Sequence, residues 1–393
     1  MTTPRIGIDQ RRARLGLRHL LAPGTSVGSV TEVADAVVAL HATDPASVYL
    51  SALARLREPA IAPIAQALYE ERSVLRLLGM RRTVFVVSRE VAPLVQAGCA
   101  RLIAVRQRRL LEQHLAAAGV GPDCAAWLVA VEEATAAALD ARGEATASEL
   151  VEDVPLLRTS LSLDEGKPYA ATSNVTSRVL FLLAVDGRII RGRPRGSWIS
   201  SQYRWSPLGS WLPGGFADWS TEAAQVELAR RWLARFGPAT VDDVRWWTGW
   251  TLGQTRTALA RLGVAEVDLD GAPGVALPDD VEPVAAPDPW VALLPALDPT
   301  AMGWVARGWY LGPHAGPLFD RTGNIGPTVW SDGRIVGGWT QRADGEIAFR
   351  LLEDVGADKA AEVASAAGRL AAMLGAVRVT PRFRTPLERE LSG

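Results

Sequence analysis

Two polar side chains and a carboxylate lie within four residues, at His41, Thr43 and Asp44 in the stretch ALHATDPASVYL. An imidazole titrates near neutral pH, so it can orient or deprotonate a water molecule. In an extended segment, residues two apart point to the same side, so His41 and Thr43 would converge on one water or substrate atom while Ala42 packs inward. These residues are therefore candidate catalytic groups.

The same stretch is also typical of a helix start. Pro45 lacks a backbone N–H, favours the first helical position and pushes the preceding residue toward extended backbone. Asp44 or Thr43 would then be the N-cap of a helix in PASVYLSALARL, and His41 would end the apolar helical run of residues 33–40. Capping and chemistry are compatible, and both interpretations stay open.

A second candidate site is the basic stretch RGRPRG, in which glycine and proline stiffen an extended segment. Arginines on such a ribbon suit the narrow minor groove of DNA, although a solvated tip that pairs with acidic neighbours is the alternative. The basic stretches 11–18 and 101–109 could contact phosphates, which position a protein without specifying sequence. The predicted DNA-binding residues are Arg12, Arg178, Arg191, Arg193, Arg195, Trp198 and Arg204.

The charge distribution supports a basic surface. The net charge is −1, yet residues 177–208 carry six arginines against one aspartate, while residues 279–288 are acidic. The apolar runs are too short for a membrane span or a signal peptide, so we expect a cytoplasmic protein. The cysteines and histidines do not have the spacing of metal ligands, so we predict no metal. The sequence contains neither a P-loop nor a dinucleotide-binding motif, so we predict no cofactor.

An approximate internal repeat organises the elements that must position these residues. GEATASEL and GPATVDDV share spacing, and each predicts a helix that begins at a threonine N-cap followed by an acidic residue, at Thr146 with Glu149 and at Thr240 with Asp243. A weaker third copy begins at Ser29. The repeat indicates three related modules.

Each copy has the order of a winged helix-turn-helix domain, which is three helices followed by a hairpin. In the last copy we predict helices 222–235, 241–247 and 252–262, followed by strands 264–269 and 275–277. In the middle copy we predict helices 125–140, 147–152 and 173–185, followed by a wing at 186–205. The first copy spans residues 9–87, with its strands within 75–87.

Beyond residue 281 the sequence is rich in glycine, proline and short extended runs, with a hairpin signal at Asp332-Gly333. A helix at 359–374 and a basic, partly mobile tail from Arg378 complete the prediction. We therefore predict an α+β protein of three tandem winged helix-turn-helix domains and a small C-terminal β domain, with boundaries at 1–122, 123–220, 221–280 and 281–393.

Motifs at both ends of the chain carry a resemblance over nearly its whole length. The chain resembles the winged-helix DNA-binding-domain proteins that include the AlkZ and YcaQ DNA glycosylases. The features that carry this resemblance are the tandem winged helices and the motifs VVALHATDPASVYLSALARL, LLPALDPTAMG and GPTVWSDGRIVGGW. The resemblance implies a monomer that wraps double-stranded DNA and hydrolyses the N-glycosidic bond of alkylated purines. Some relatives protect producers of genotoxic natural products by removing bulky adducts.

The family's catalytic motif is polar-apolar-polar, with two glutamines or a glutamine and an aspartate. Its position matches His41-Ala42-Thr43, which is a departure at both polar residues. A purine alkylated at N7 or N3 is already a cationic leaving group, so the remaining task is to place a water near C1′. By this resemblance His41 would orient or deprotonate that water, Thr43 would hold the water or a phosphate, and Asp44 would orient His41 or stabilise positive charge.

Two other functions fit the same features. One is a noncatalytic DNA-binding protein, a regulator or a lesion-sequestering protein, in which the stretch around His41 is only a helix junction. The other is a structural winged-helix protein whose partners are proteins. An enzyme would lose turnover but keep binding when His41 changes, whereas a protein-interaction module would lack salt-dependent DNA affinity.

Overall fold

The computed structural model describes residues 3–163 and 171–393. The described chain forms two compact units. The first unit contains the chain up to Leu75, Phe85–Val91 and Val226–Gly393, and the second contains Arg76–Val84 and Ala92–Gln225. No helix in the described part of the chain is long and apolar enough to cross a membrane.

The N-terminal elements carry the candidate catalytic stretch. They are α1 (Ile8–Arg18), α2 (Val30–Ala36), β1 (Leu40–His41), α3 (Pro45–Leu53), α4 (Ile61–Tyr69), β2 (Val74–Leu78), a 3-10 turn (Met80–Arg82) and β3 (Val84–Ser88). The strands form one sheet in the order β1-β3-β2. The predicted capping box at Ser29 and Glu32 starts α2, and the predicted strands within 75–87 are present.

The prediction that residues 33–40 are helical is wrong in its second half. Helix α2 ends at Ala36, and Val38 takes a φ of 60°, a left-handed conformation that a β-branched residue rarely adopts. Such a residue cannot continue a right-handed helix. The chain instead turns there and enters β1, so His41 lies on a strand and not at a helix end.

The second unit contains the predicted helices and wing of the middle copy in order, together with several short elements that were not predicted. Its elements are α5 (Ala92–Val95), a π-helical turn (Gln96–Ala100), α6 (Arg101–Ala117), α7 (Cys124–Arg142), α8 (Ala147–Asp153), a 3-10 turn (Pro155–Arg158), β4 (Ser160–Leu163), β5 (Ala171–Asn174), α9 (Thr176–Val185), β6 (Ile189–Pro194), β7 (Tyr203–Pro207) and α10 (Leu208–Trp211). The β4–β5 pair was not predicted, and it delays the third helix of the middle copy from residue 173 to Thr176.

The last copy of the repeat agrees with prediction within a few residues at each boundary. It contains α11 (Thr221–Phe236), α12 (Val241–Thr248), α13 (Leu252–Leu262), β8 (Ala265–Leu269) and β9 (Ala272–Ala276). Reciprocal bonds between Thr240 and Asp243 start α12, and left-handed glycines end α12 and α13 at Gly249 and Gly263. The capping box at Thr146 and Glu149 starts α8 in the same way.

The C-terminal part is a four-stranded antiparallel sheet with helices. Its elements are β10 (Val291–Leu294), α14 (Gly308–Leu311), α15 (Ala315–Leu318), β11 (Thr328–Ser331), β12 (Arg334–Gln341), β13 (Ile347–Leu351), α16 (Ala357–Leu374) and α17 (Pro386–Ser392). The strand order is β10-β11-β12-β13, and Asp332-Gly333 forms the predicted turn. The tail, predicted to be partly mobile, instead ends in α17, whose Leu387 and Leu391 are buried.

Candidate active site

His41 is positioned by strand pairing. It lies opposite Phe85 in the β1–β3 ladder, and the two rings meet edge-on with centroids 5.2 Å apart. The side chain of His41 is 7% exposed, while Ala42 is 1% exposed and packs inward as predicted. The imidazole is therefore held in a defined orientation at the end of a short strand.

Helix α3 begins directly after this strand, and Asp44 is its N-cap. One carboxylate oxygen of Asp44 accepts the backbone N–H of Ala46 at 3.1 Å, and Pro45 occupies the first turn. The other oxygen accepts the backbone N–H of Arg382 at 2.9 Å. Burial raises the pKa of the Asp44 carboxyl above its ordinary value, although both N–H bonds act in the opposite direction. The helix-start interpretation is confirmed, with Asp44 as the capping residue.

Thr43 lies between the strand and the cap. It is half-buried, and its backbone carbonyl accepts a bond of 3.3 Å from the guanidinium of Arg382. The segment His41–Asp44 is thus bound at one end by sheet pairing and at the other by the helix cap and the C-terminal tail. Polar groups that chemistry would use are held on a fixed backbone, as a preorganised site requires.

Helix α3 is anchored along its length by the motif LLPALDPT. Ser47 donates to the carbonyl of Ala296 at 2.6 Å, and Ser51 donates to the carboxylate of Asp298 at 2.7 Å. One turn later, Arg55 donates to both oxygens of the Asp298 carboxylate at 2.8 and 2.9 Å. The Arg55 guanidinium holds the pKa of Asp298 below its ordinary value despite complete burial. The helix that Asp44 caps is therefore fixed against the C-terminal region.

A small cavity borders the cap. It has a volume of about 10 Å³, which is room for one water molecule. Its lining includes the carboxylate residue Asp44, Ser47 on α3, and Trp339, Gln341 and Pro381 from the C-terminal region. A cavity of this size cannot hold a base, so any nucleotide would bind outside it.

The predicted DNA-binding wing lies in the second unit. Strands β6 and β7 pair from Ile189 opposite Pro207 to Arg191 opposite Trp205, after which the register shifts. The guanidinium of Arg191 lies 5.1 Å from the ring centroid of Trp205. Arg193 and Arg195 are exposed. The wing therefore presents two exposed cations beside a third that is stacked on an aromatic ring.

The structure places the remaining predicted DNA-binding residues in different surroundings. Arg204 forms an ion pair with Glu144, and Arg178 and Trp198 are half-buried. Arg12 lies in the first unit, where its guanidinium donates to the carbonyl of Trp309. Arg12 and Arg204 thus contact protein groups, and Arg193 and Arg195 have exposed side chains on the wing.

Two residues of the site were not identified as such from the sequence. Arg382 belongs to the basic tail, and its contact with Asp44 joins residues 338 positions apart, which no local pattern predicts. Asp298 lies within the motif LLPALDPTAMG, and its buried carboxylate binds Arg55, which a single sequence does not reveal. Among the described residues no group of three or more histidine, cysteine or acidic side chains could hold a metal ion.

Two comparisons with known proteins point to the same family. The family model described as DNA glycosylase AlkZ-like matches residues 34–373. Among solved structures, the Streptomyces sahachiroi DNA glycosylase AlkZ is similar over 96% of this chain and 99% of that chain, with 20% identity and a TM-score of 0.74. The comparison with curated proteins gave no match. At this identity the structural likeness indicates a shared fold.

Proposed function

Because the chain belongs to the AlkZ-like DNA glycosylase family, we propose that it hydrolyses the N-glycosidic bond of alkylated purines in duplex DNA. The substrates are N7-alkylguanine or N3-alkyladenine, including bulky adducts of genotoxic natural products. The supporting observation is the position of His41 and Thr43, on a fixed segment between a strand and a helix cap, where the family's polar-apolar-polar motif falls. The corresponding biological roles are DNA repair or self-resistance of a toxin producer.

In this mechanism the leaving base carries positive charge and departs without protonation by the enzyme. His41 orients or deprotonates the attacking water, because an imidazole can accept a proton near neutral pH. Thr43 holds the water or a phosphate oxygen. The carboxylate of Asp44 supplies negative charge near the oxocarbenium-like transition state and fixes the backbone of Thr43 through the helix cap. No step requires a metal or a cofactor.

The proposal extends to the architecture and to DNA binding. The three copies of the repeat act as winged helix-turn-helix domains, and the four-stranded sheet acts as the C-terminal β domain. The wing carrying Arg191, Arg193 and Arg195 binds the minor groove, where C1′ is accessible. A bulky adduct does not fit the enclosed pocket that a flipped base normally enters, so the target base need not leave the stack. The protein acts as a cytoplasmic monomer.

The test is release of free base from duplex DNA that carries one N7-alkylguanine, either a small adduct or a bulky natural-product adduct. Wild type should release base, and His41→Ala should release it at least about 100-fold more slowly while still binding DNA. His314→Ala is the matched control. It also removes an imidazole, but His314 contacts Glu353 at 3.1 Å and is not part of the His41–Asp44 segment. Equal rates for wild type and His41→Ala would remove His41 from the chemistry.

A noncatalytic DNA-binding protein is the second candidate. The observation in its favour is that Asp44 is fully engaged as a helix cap and that His41 is 7% exposed, as expected of a structural junction. Tight binding to the adducted duplex without base release by wild type would support this candidate against the enzyme.

A further inference from the structure

The C-terminal segment lies across the start of helix α3. The backbone N–H of Val379 donates to Gln341 on β12 at 2.8 Å, and three residues later the N–H of Arg382 donates to Asp44 at 2.9 Å. Thr385, the residue directly before α17, is 1% exposed. The segment 379–385 is therefore fixed at several points, and its backbone completes the hydrogen bonding of the helix cap.

The side chain of Arg382, unlike its backbone N–H, makes only weak contacts with the protein. Arg382 is exposed, and one guanidinium nitrogen donates to the carbonyl of Thr43 at 3.3 Å. A charge-assisted bond to a carboxylate or phosphate is usually about 2.7–2.9 Å long, so this contact is weak. The guanidinium also lies 5.8 Å from the ring centroid of Phe383. Water and solutes can therefore reach most of its donors.

Arg378 donates to backbone carbonyls and Arg389 has no ion-pair partner among the described residues, whereas three other arginines of this region are neutralised by acidic partners. They form the ion pairs Arg342–Glu346, Arg350–Glu390 and Arg384–Glu388. Among the ion pairs of the described residues none includes Arg382. The carboxylate of Asp44 attracts its charge but is bonded to backbone N–H groups instead. A positive charge is thus held in solvent contact beside the candidate catalytic segment.

We propose that Arg382 binds a backbone phosphate of the DNA strand next to the nucleotide that His41 and Thr43 act on. This inference rests on the proposed function for the identity of that nucleotide. A guanidinium presents a planar fork of donors that matches two phosphate oxygens, and a phosphate replaces the weak bond to the Thr43 carbonyl with stronger ones. The backbone N–H of Arg382 binds Asp44, so the residue that would bind the phosphate also contacts the candidate catalytic segment. The contact sets the position of C1′ relative to the water.

Arg382→Ala tests the side chain alone, because the alanine keeps the N–H that caps α3. Arg389→Ala on α17 is the matched control, since it removes an equal charge from an exposed arginine seven residues further along the chain. Arg382→Lys keeps the charge without the fork. The affinity of all four proteins for unmodified duplex DNA is measured between 50 and 200 mM salt, together with thermal unfolding and the single-turnover rate of base release.

For Arg382→Ala we expect unchanged thermal unfolding and a slope of log affinity against log salt that is smaller by about 0.9, the loss of one phosphate contact. The rate of base release should fall by up to about 100-fold, which is the effect of misplacing the reacting groups by about 1 Å. Arg382→Lys should keep the wild-type slope and lose part of the rate. Arg389→Ala should match wild type in both the salt slope and the rate of base release.

If Arg382→Ala keeps the wild-type slope of log affinity against log salt, the proposal is overturned. It is also overturned if Arg389→Ala lowers this slope by the same amount, because that would indicate a general charge effect. Absence of DNA binding by wild type overturns it as well. If wild type binds DNA but releases no base, the proposed enzymatic function fails on its own, and a reduced slope in Arg382→Ala still supports the phosphate contact. The salt dependence therefore separates the two failures.

Discussion

Arg55 and Asp298 form a completely enclosed ion pair, in which two guanidinium nitrogens bind the two carboxylate oxygens at 2.8 and 2.9 Å and neither side chain is exposed. Arg55 follows helix α3, and Asp298 belongs to the loop before α14. The pair joins parts of the chain that are 243 positions apart, and it holds the helix whose first residue follows Asp44. The site therefore depends on a contact that no local segment contains.

Breaking this pair should cost much of the stability of the first unit. Asp298→Asn keeps the shape of the side chain but leaves the Arg55 charge buried and uncompensated, which typically lowers the free energy of unfolding by about 3–5 kcal/mol. Chemical denaturation measures the loss. Glu346→Ala, which breaks an exposed pair with Arg342, should cost less than about 1 kcal/mol. Equal losses in the two variants would contradict this account of the pair.

Acid should destabilise the fold through His19. Complete burial, with the nearby Arg55 charge, lowers the pKa of His19 from 6.5 to about 3. Between these values the unfolded chain binds a proton at His19 that the folded chain does not, so the free energy of unfolding falls as the pH falls through that window. The slope from this residue is at most about 1.4 kcal/mol per pH unit. His19→Gln should flatten the measured dependence, and an unchanged slope would show that other groups cause it.

Asp44 has a capping role and a proposed electrostatic role, and two substitutions separate them. Asp44→Asn keeps one oxygen for the N–H of Ala46, but its NH2 group then faces the N–H of Arg382, so thermal unfolding should fall by less than in Asp44→Ala while the loss of charge lowers base release. Asp44→Ala should lower both, with a loss of about 0.5–2 kcal/mol from the cap. Full activity in Asp44→Asn would restrict Asp44 to capping.

His41→Gln introduces the amide that the family's motif carries at this position. An amide can orient a water but cannot take its proton, so the variant separates the two proposed roles of His41. If orientation is sufficient, base release by His41→Gln should stay within about tenfold of wild type. A rate as low as that of His41→Ala would indicate that the imidazole acts as a base.

The wing should contribute to DNA affinity through its exposed cations. Changing Arg193 and Arg195 together to alanine should reduce the slope of log affinity against log salt by up to about 2, one for each phosphate contact. The matched control is the pair Arg342→Ala and Arg350→Ala, which removes two exposed arginines that bind glutamates. An unchanged slope in the wing variant would exclude these two residues from the DNA interface.

The sequence by itself determined those elements whose signals are local. The capping boxes at Thr146 and Thr240, the turn at Asp332-Gly333 and the boundaries of Leu252–Leu262 depend on residues within a few positions of each other, and the structure has all of them. Asp44 as the N-cap followed by Pro45 belongs to the same class. In each case the hydrogen bonds that end or start the element are made by neighbouring residues, so spacing alone predicts them.

Only the tertiary structure decided the surroundings of the candidate site. The apolar pattern of residues 33–40 suits a helix, but pairing of His41 with Phe85 holds those last residues in a strand after the turn at Val38. The contact of Asp44 with Arg382, and that of Arg55 with Asp298, join distant parts of the chain. Long-range contacts leave no periodic signal in one sequence, because any of the chain's many arginines could pair with a given carboxylate. Packing selects the partner.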